Sequence, residues 1–246
     1  IILCYILHMV PVAIEFRQVS KYYAKQAALD NISFSVKSGE CFGLVGANGA
    51  GKTTLFKALL DLCGIDCGVI KIFNVDHVLP SARKNVAFLP ERFMPQYPIS
   101  GAQFLRYMLR LYKTSFSEEK IHKVLHGVNF DVAQLKKSMR AYSKGMTQKL
   151  ALAACLSSAK NLYLLDEPAS GLDPKARASL RNLLLEHKAL GQTLLLSSHN
   201  LLDVEMLCDR MAILDAGKLL FVGTPHECCT HYSADDLEQA YLKAVQ

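Results

Sequence analysis

The stretch Cys41-Phe-Gly-Leu-Val-Gly46-Ala-Asn-Gly-Ala-Gly51-Lys52-Thr53-Thr54-Leu-Phe-Lys-Ala-Leu-Leu-Asp-Leu62 decides the fold. Its first five residues form an apolar run of strand length, and Lys52 to Leu62 carries apolar residues at helical spacing. The eight residues between Val45 and Thr54 satisfy G-x-x-x-x-G-K-[ST]. Without a Cβ, glycines let backbone N–H groups curl around phosphate oxygens, and the helix that follows adds the partial positive charge of its N-terminus. Lys52 then supplies a point charge to the β- and γ-phosphates, and Thr53 offers its hydroxyl to Mg²⁺. Gly46, Ala47, Asn48, Gly49, Ala50, Gly51, Lys52, Thr53 and Thr54 are therefore candidate nucleotide-binding residues. The loop says nucleotide phosphate and does not choose among kinases, GTPases and motors.

Outward from this loop, strand-like runs recur at Val12–Val19, Gly68–Phe73, Asn85–Leu89, Asn161–Leu165, Thr193–Ser197 and Arg210–Leu214. Several are apolar throughout, as in a parallel sheet covered by helices on both faces. Between Ser100 and Ser158 the strand signal gives way to helical spacing in FLRYMLRLY, EEKIHKVLHGV and QKLALAACL. That stretch reads as a helical insertion, and Ser233 to Val245 as one last helix.

A second constellation is Leu162-Tyr-Leu-Leu-Asp166-Glu167-Pro168, an apolar strand ending in two carboxylates. Beside a phosphate loop, Asp166 suits a Mg²⁺ ligand and Glu167 the group that polarises the attacking water. Twenty-three residues before Asp166 stands Ser143-Lys-Gly-Met-Thr-Gln148, which alone would be a helix cap.

The order of these motifs resembles that of ABC (ATP-binding cassette) ATPases over about residues 12 to 224. Ser143–Gln148 is similar to their signature motif, with Tyr142, Lys144 and Met146 departing from its usual residues and Ser143 and Gly145 retained. Tyr23 resembles the aromatic that stacks on adenine, and Ser170 to Asp173 the loop that crosses the dimer interface. His199 resembles the switch histidine at the γ-phosphate. Glu91 occupies the place of a usual Gln, with Gln96 as the other candidate for that contact.

The resemblance implies an α/β P-loop NTPase (RecA-like) core with an antiparallel β portion near the N-terminus and an inserted α-helical subdomain at about 91–160. The ATP-binding domain would span 10–232, with a C-terminal helix at 233–246 and an N-terminal extension at 1–9. It further implies that Glu167, His199 and Lys52 serve catalysis, and that Thr53, Asp166 and Glu91 attend Mg²⁺. Tyr23, Glu91, Ser143, Gly145, Gln148 and Asp173 would join the phosphate loop in holding ATP. The function implied is that of an ATP-hydrolysing motor subunit. It would form an ATP-dependent homodimer or heterodimer and power a transmembrane permease, in the export direction, from the cytoplasmic face of the membrane. The alternative from another class is a soluble ABC ATPase acting on DNA or ribosomes; a third is a nucleotide-binding regulator without turnover.

Composition sets the bounds of this reading. The chain has 246 residues, 51% of them hydrophobic and 20% charged, which suits one large α/β domain and excludes a disordered chain. The net charge is +6, yet Lys and Arg are scattered singly, so no nucleic-acid partner is expected. Eight cysteines lie mainly among apolar neighbours without metal-ligand spacing and read as reduced thiols of a cytosolic protein. The uncharged run Ile1–Ile14 is too short to span a bilayer, which takes about 17–25 residues, and lacks the basic start of a signal peptide. Any membrane role would then come from a partner.

Overall fold

A computed structural model of the chain describes residues 10–93 and 98–246. In chain order the elements are β1 (Val12–Tyr23), β2 (Gln26–Lys37), β3 (Cys41–Val45), α1 (Lys52–Leu59), β4 (Cys67–Ile72), β5 (Val75–Asp76) and β6 (Val86–Leu89). Helices α2 (Gly101–Leu111), α3 (Glu118–Gly127) and α4 (Lys144–Leu156) follow, with two short 3₁₀ turns before α4. The remainder is β7 (Leu162–Leu165), α5 (Pro174–Ala189), β8 (Thr193–Ser198), α6 (Leu201–Leu207), β9 (Arg210–Asp215), β10 (Lys218–Gly223), α7 (Pro225–His231) and α8 (Leu237–Ala244).

Six strands form one sheet in the order β10-β9-β3-β8-β7-β6, and all its pairings are parallel except that of β9 with β10. The central strands are buried at every residue because both faces are covered. Their side chains divide by alternation. Phe42, Leu44, Leu162, Leu164, Leu195, Ala212 and Leu214 face one core, which is closed by α1 and the antiparallel sheet β2-β1-β4-β5. Cys41, Val45, Tyr163, Leu165, Leu194, Leu196, Met211 and Ile213 face the other, closed by helices including α2 to α5. A single strand shift would exchange the two sets, so the register is fixed by burial on both sides.

That register decides where the chemistry sits. Leu89 pairs with Leu165, Leu165 with Leu196, and Val45 with Ser198. The C-terminal ends of β6, β7, β8 and β3 therefore come out level along one edge, the usual place for ligands in an open α/β sheet. Glu91, Asp166–Glu167, Ser197–His199 and Gly46 all leave the sheet there.

Helices α2, α3 and α4 are inserted between β6 and β7, and the described residues of that stretch contain no strand, as the spacing predicts. A capping box between Ser100 and Gln103 starts α2, Ser117 caps α3 and Ser143 caps α4. Three sequence expectations need correcting. The helix after the phosphate loop stops at Leu59 rather than Leu62, because the chain turns at Leu60 and Asp61 adopts a left-handed conformation (φ 58°). Strand β1 runs four residues past Val19, pairing with β2 through local register shifts. The final segment is a helix only over Leu237–Ala244, behind the separate α7. The expected extension at 1–9 and the alternative contact Gln96 lie outside the described residues.

Candidate functional site

The phosphate loop is tight because Gly46 and Gly51, though not Gly49, lie against backbone. A Cβ on Gly46 would stand 2.2 Å from the Leu214 carbonyl oxygen, and one on Gly51 would stand 2.5 Å from that of Ala28. Gly51, with φ 111°, also turns the chain into α1 in a conformation L side chains rarely adopt. The loop closes on Lys52, whose buried ammonium donates to the carbonyls of Gly46 and, at 3.0 Å, Ala47. Burial pulls the Lys52 ammonium below its ordinary value; Glu167, Asp166 and Glu91 oppose that by favouring its charge.

Asp166 lies against the loop from β7. The Thr53 hydroxyl donates to its Oδ2 at 3.0 Å, and the Ser197 hydroxyl to its Oδ1 at 2.6 Å. Burial pushes this carboxyl above its ordinary value, the two hydroxyls pull it down, and Glu91 adds a further push. Glu167 follows in a left-handed conformation (φ 49°), with its N–H donating to Ser197 Oγ at 2.9 Å. Its Oε2 pairs with His199 Nδ1 at 2.8 Å, whereas its buried Oε1 has no partner among the described residues. The His199 side chain is 64% exposed and that of Glu167 only 11%, so the imidazole caps the acid from the solvent side.

Lys52, Thr53, Asp166 and Glu167 border a cavity of about 370 Å³ with other residues of the loop, Ala28, Glu91 and Arg92, whereas His199 is not among its lining residues. Tyr23 is half exposed and is not among the residues that border it, with the Lys21 ammonium 5.4 Å from its ring centre. Hydrogen bonding with Cys63 raises the Tyr23 hydroxyl above its ordinary value, and Thr54 opposes it.

The signature-like residues lie apart from this cavity. Exposed Ser143 caps α4, accepting from Met146 N at 3.2 Å. Gly145 packs on the loop after β7, where a Cβ would stand 3.1 Å from the Gly171 oxygen. Gln148 is buried and donates to the Pro168 carbonyl at 3.5 Å. Asp173 caps α5 through Ala176 N at 2.9 Å. Glu91 borders both the first cavity and a second, of about 590 Å³, that reaches Phe93, Met139, Tyr142 and Gln148. One contributor escaped the sequence reasoning: Ser197 joins Asp166 to Glu167, and its only signal is a Ser-Ser pair before His199 at a strand end.

A glycine loop closed on a buried lysine, level with paired carboxylates at the edge of a parallel sheet, defines a P-loop nucleotide-binding domain. A family model described as ABC transporter matches residues 29–170, and the chain belongs to that family. It is 39% identical over 207 residues to an ABC transporter ATP-binding protein of Nostoc sp., covering 82% of this chain and 62% of that one. It is 36% identical over 227 residues to Nod factor export ATP-binding protein I of Rhizobium meliloti, covering 89% and 67% respectively. The chain thus spans about two thirds or less of the length of these relatives. Among solved structures, an ATP-binding subunit of an ABC transporter superposes with a TM-score of 0.85 at 29% identity, covering 94% of this chain and 99% of the other. No helix among the described residues is long and apolar enough to cross a membrane.

Proposed function

We propose that this domain hydrolyses ATP in the presence of Mg²⁺ and, as a dimer closed around nucleotide, powers a separate transmembrane permease that exports its substrate. The observation that carries the reading is the convergence of Lys52, Thr53, Asp166, Glu167 and His199 at one sheet edge, with a buried, unpaired oxygen on Glu167. The adjacent oxygens Thr53 Oγ1 and Asp166 Oδ2 suit a hard cation, which would draw negative charge off the terminal phosphate. The loop's N–H groups and Lys52 bind and orient the phosphates. Glu167 Oε1 takes the proton of the attacking water, and His199, held on Oε2, fixes the carboxylate's orientation and shields it from solvent.

Glu91 supports coupling because it belongs to both cavities. The second is lined by Phe93, Met139 and Tyr142 together with the cations Arg92, Arg140 and Lys144, and it suits a segment of the permease. The export-type name of the Rhizobium meliloti relative supports the direction. The closing experiment is phosphate release by purified protein and its Glu167→Gln variant. Turnover should fall about 10²–10⁴-fold, the usual contribution of a positioned base, while ATP still binds. Equal turnover in the two proteins would remove Glu167 from this role.

A further inference from the structure

Glu167 and His199 must meet at hydrogen-bonding distance, yet they leave the sheet on different strands and enter different helices. Glu167 leads through the turn 168–172 into α5, and His199 leads directly into α6. The exposed imidazole has little packing to hold it. Its place depends on the seven-residue α6, which is capped by Asn200 through Leu202 N at 3.1 Å.

Two arginines one helical turn apart on α5 reach both sides of this junction. Arg177 Nε donates to the Leu172 carbonyl at 3.2 Å, gripping the turn that follows Glu167. Arg181, four residues on and so on the same helix face, places Nη1 2.9 Å from Asp203 Oδ1 in the first turn of α6. Asp203 is 5% exposed, and a buried carboxylate is costly unless it is paired; Arg181 pairs Oδ1, while the buried Oδ2 has no partner among the described residues. The pair spans 22 residues of sequence and joins the helix behind the acid to the helix behind the histidine. Pro168, Ala169 and Ser198, the residues adjoining Glu167 and His199, border the same small cavity as Arg177, Arg181 and Asp203.

We infer that Arg181 and Asp203 are positioning residues for ATP hydrolysis: with Arg177 they make α5 a brace that sets the separation of Glu167 and His199. The inference rests on the reading of Glu167 as base. Neither side chain contacts the nucleotide cavity, so the pair acts on turnover rather than on ATP affinity. Only Asp203 of this pair is buried, the Arg181 side chain being 24% exposed, so exchanging both for apolar residues removes the buried charge with little loss of stability and separates positioning from folding.

The test measures kcat, KM for ATP and Tm of the full chain for wild type, Asp203→Asn and the double variant Arg181→Met with Asp203→Leu. We expect the folded variants to lose about 10–100-fold in kcat, as small displacements of catalytic groups do, with KM within about twofold. In a His199→Ala background the same changes should add less than about twofold, because the group they position is gone. Variants with wild-type Tm and undiminished kcat would overturn the inference, as would a loss carried entirely in KM or an equal further loss in the His199→Ala background. If instead Glu167→Gln hydrolyses ATP as fast as wild type, the reading of the site itself fails, and that control tells the two failures apart.

Discussion

Asp166 is a buried carboxylate with two hydroxyl donors and a second carboxylate, Glu91, in its surroundings. Its pKa is raised in the folded chain chiefly by burial. A group so raised adds stability below its unfolded pKa and loses that contribution as pH rises through the folded value. Once ionised, Asp166 is thus a net cost to the fold. Asp166→Asn removes the charge while keeping an acceptor for Ser197 and a polar group for Thr53. Thermal melts without nucleotide should show a higher Tm, each 1 kcal/mol of relief being worth about 2–4 °C in a domain of this size. Phosphate release should be abolished in the same protein. A lower Tm in Asp166→Asn would show that the carboxylate's hydrogen bonds outweigh its burial. Residues of this kind were legible in the sequence because each ends a strand or opens a helix beside a motif. Ser197 was not, since a serine that holds two acids together looks like any serine at a strand end.

At the scale of elements, helix α5 carries more than the motif that precedes it. In its last turn the buried imidazole of His187 stands edge-on to the Tyr163 ring at 5.3 Å and pairs with the Gln192 side chain. Burial holds this histidine below its ordinary value of 6.5, and the hydrogen bond with Gln192 opposes the shift. Below pH 6.5 the unfolded chain therefore takes up a proton that the folded chain resists, and stability falls as the pH drops through that window. His187→Gln removes this term, so its stability should decline less steeply than that of wild type between pH 7.5 and 5.5. Parallel Tm curves over that range would sink the idea. None of this was visible in the sequence, where α5 has a modest apolar stripe broken by charged residues. The central strands were legible because continuous apolar runs mark a sheet buried on both faces. Strands β2 and β10 were not, because in both buried positions mix with partly exposed ones. The short α6 and α7 have too few turns to show a period.

At the scale of the whole molecule, two sets of motif residues lie apart in this chain. The cavity on the phosphate loop is bordered by Lys52, Thr53, Asp166 and Glu167, and by no described residue of the stretch from Met139 to Gln148. Ala47, Asn48, Gly49 and Thr53 are exposed on its open side, and Ser143 at the start of α4 is equally exposed. In the proposed function a second copy related by twofold symmetry would satisfy both at once, each chain presenting the start of α4 to the phosphates held by the other. Helix N-termini attract anions, so in such a dimer nucleotide would become part of the interface and its binding would drive closure. Glu167→Gln, which keeps ATP intact, is the form in which the closed state should accumulate. By light scattering it should have the mass of a dimer with ATP and Mg²⁺ and of a monomer without nucleotide. Ser143→Arg in the same background should remain monomeric, because a bulky cation would replace the capping hydroxyl at the start of α4, the surface proposed for the contact, yet it should bind ATP as tightly as before. An unchanged mass with and without ATP would exclude nucleotide-driven pairing of this chain with itself. A dimer that survives Ser143→Arg would place the contact on a different face.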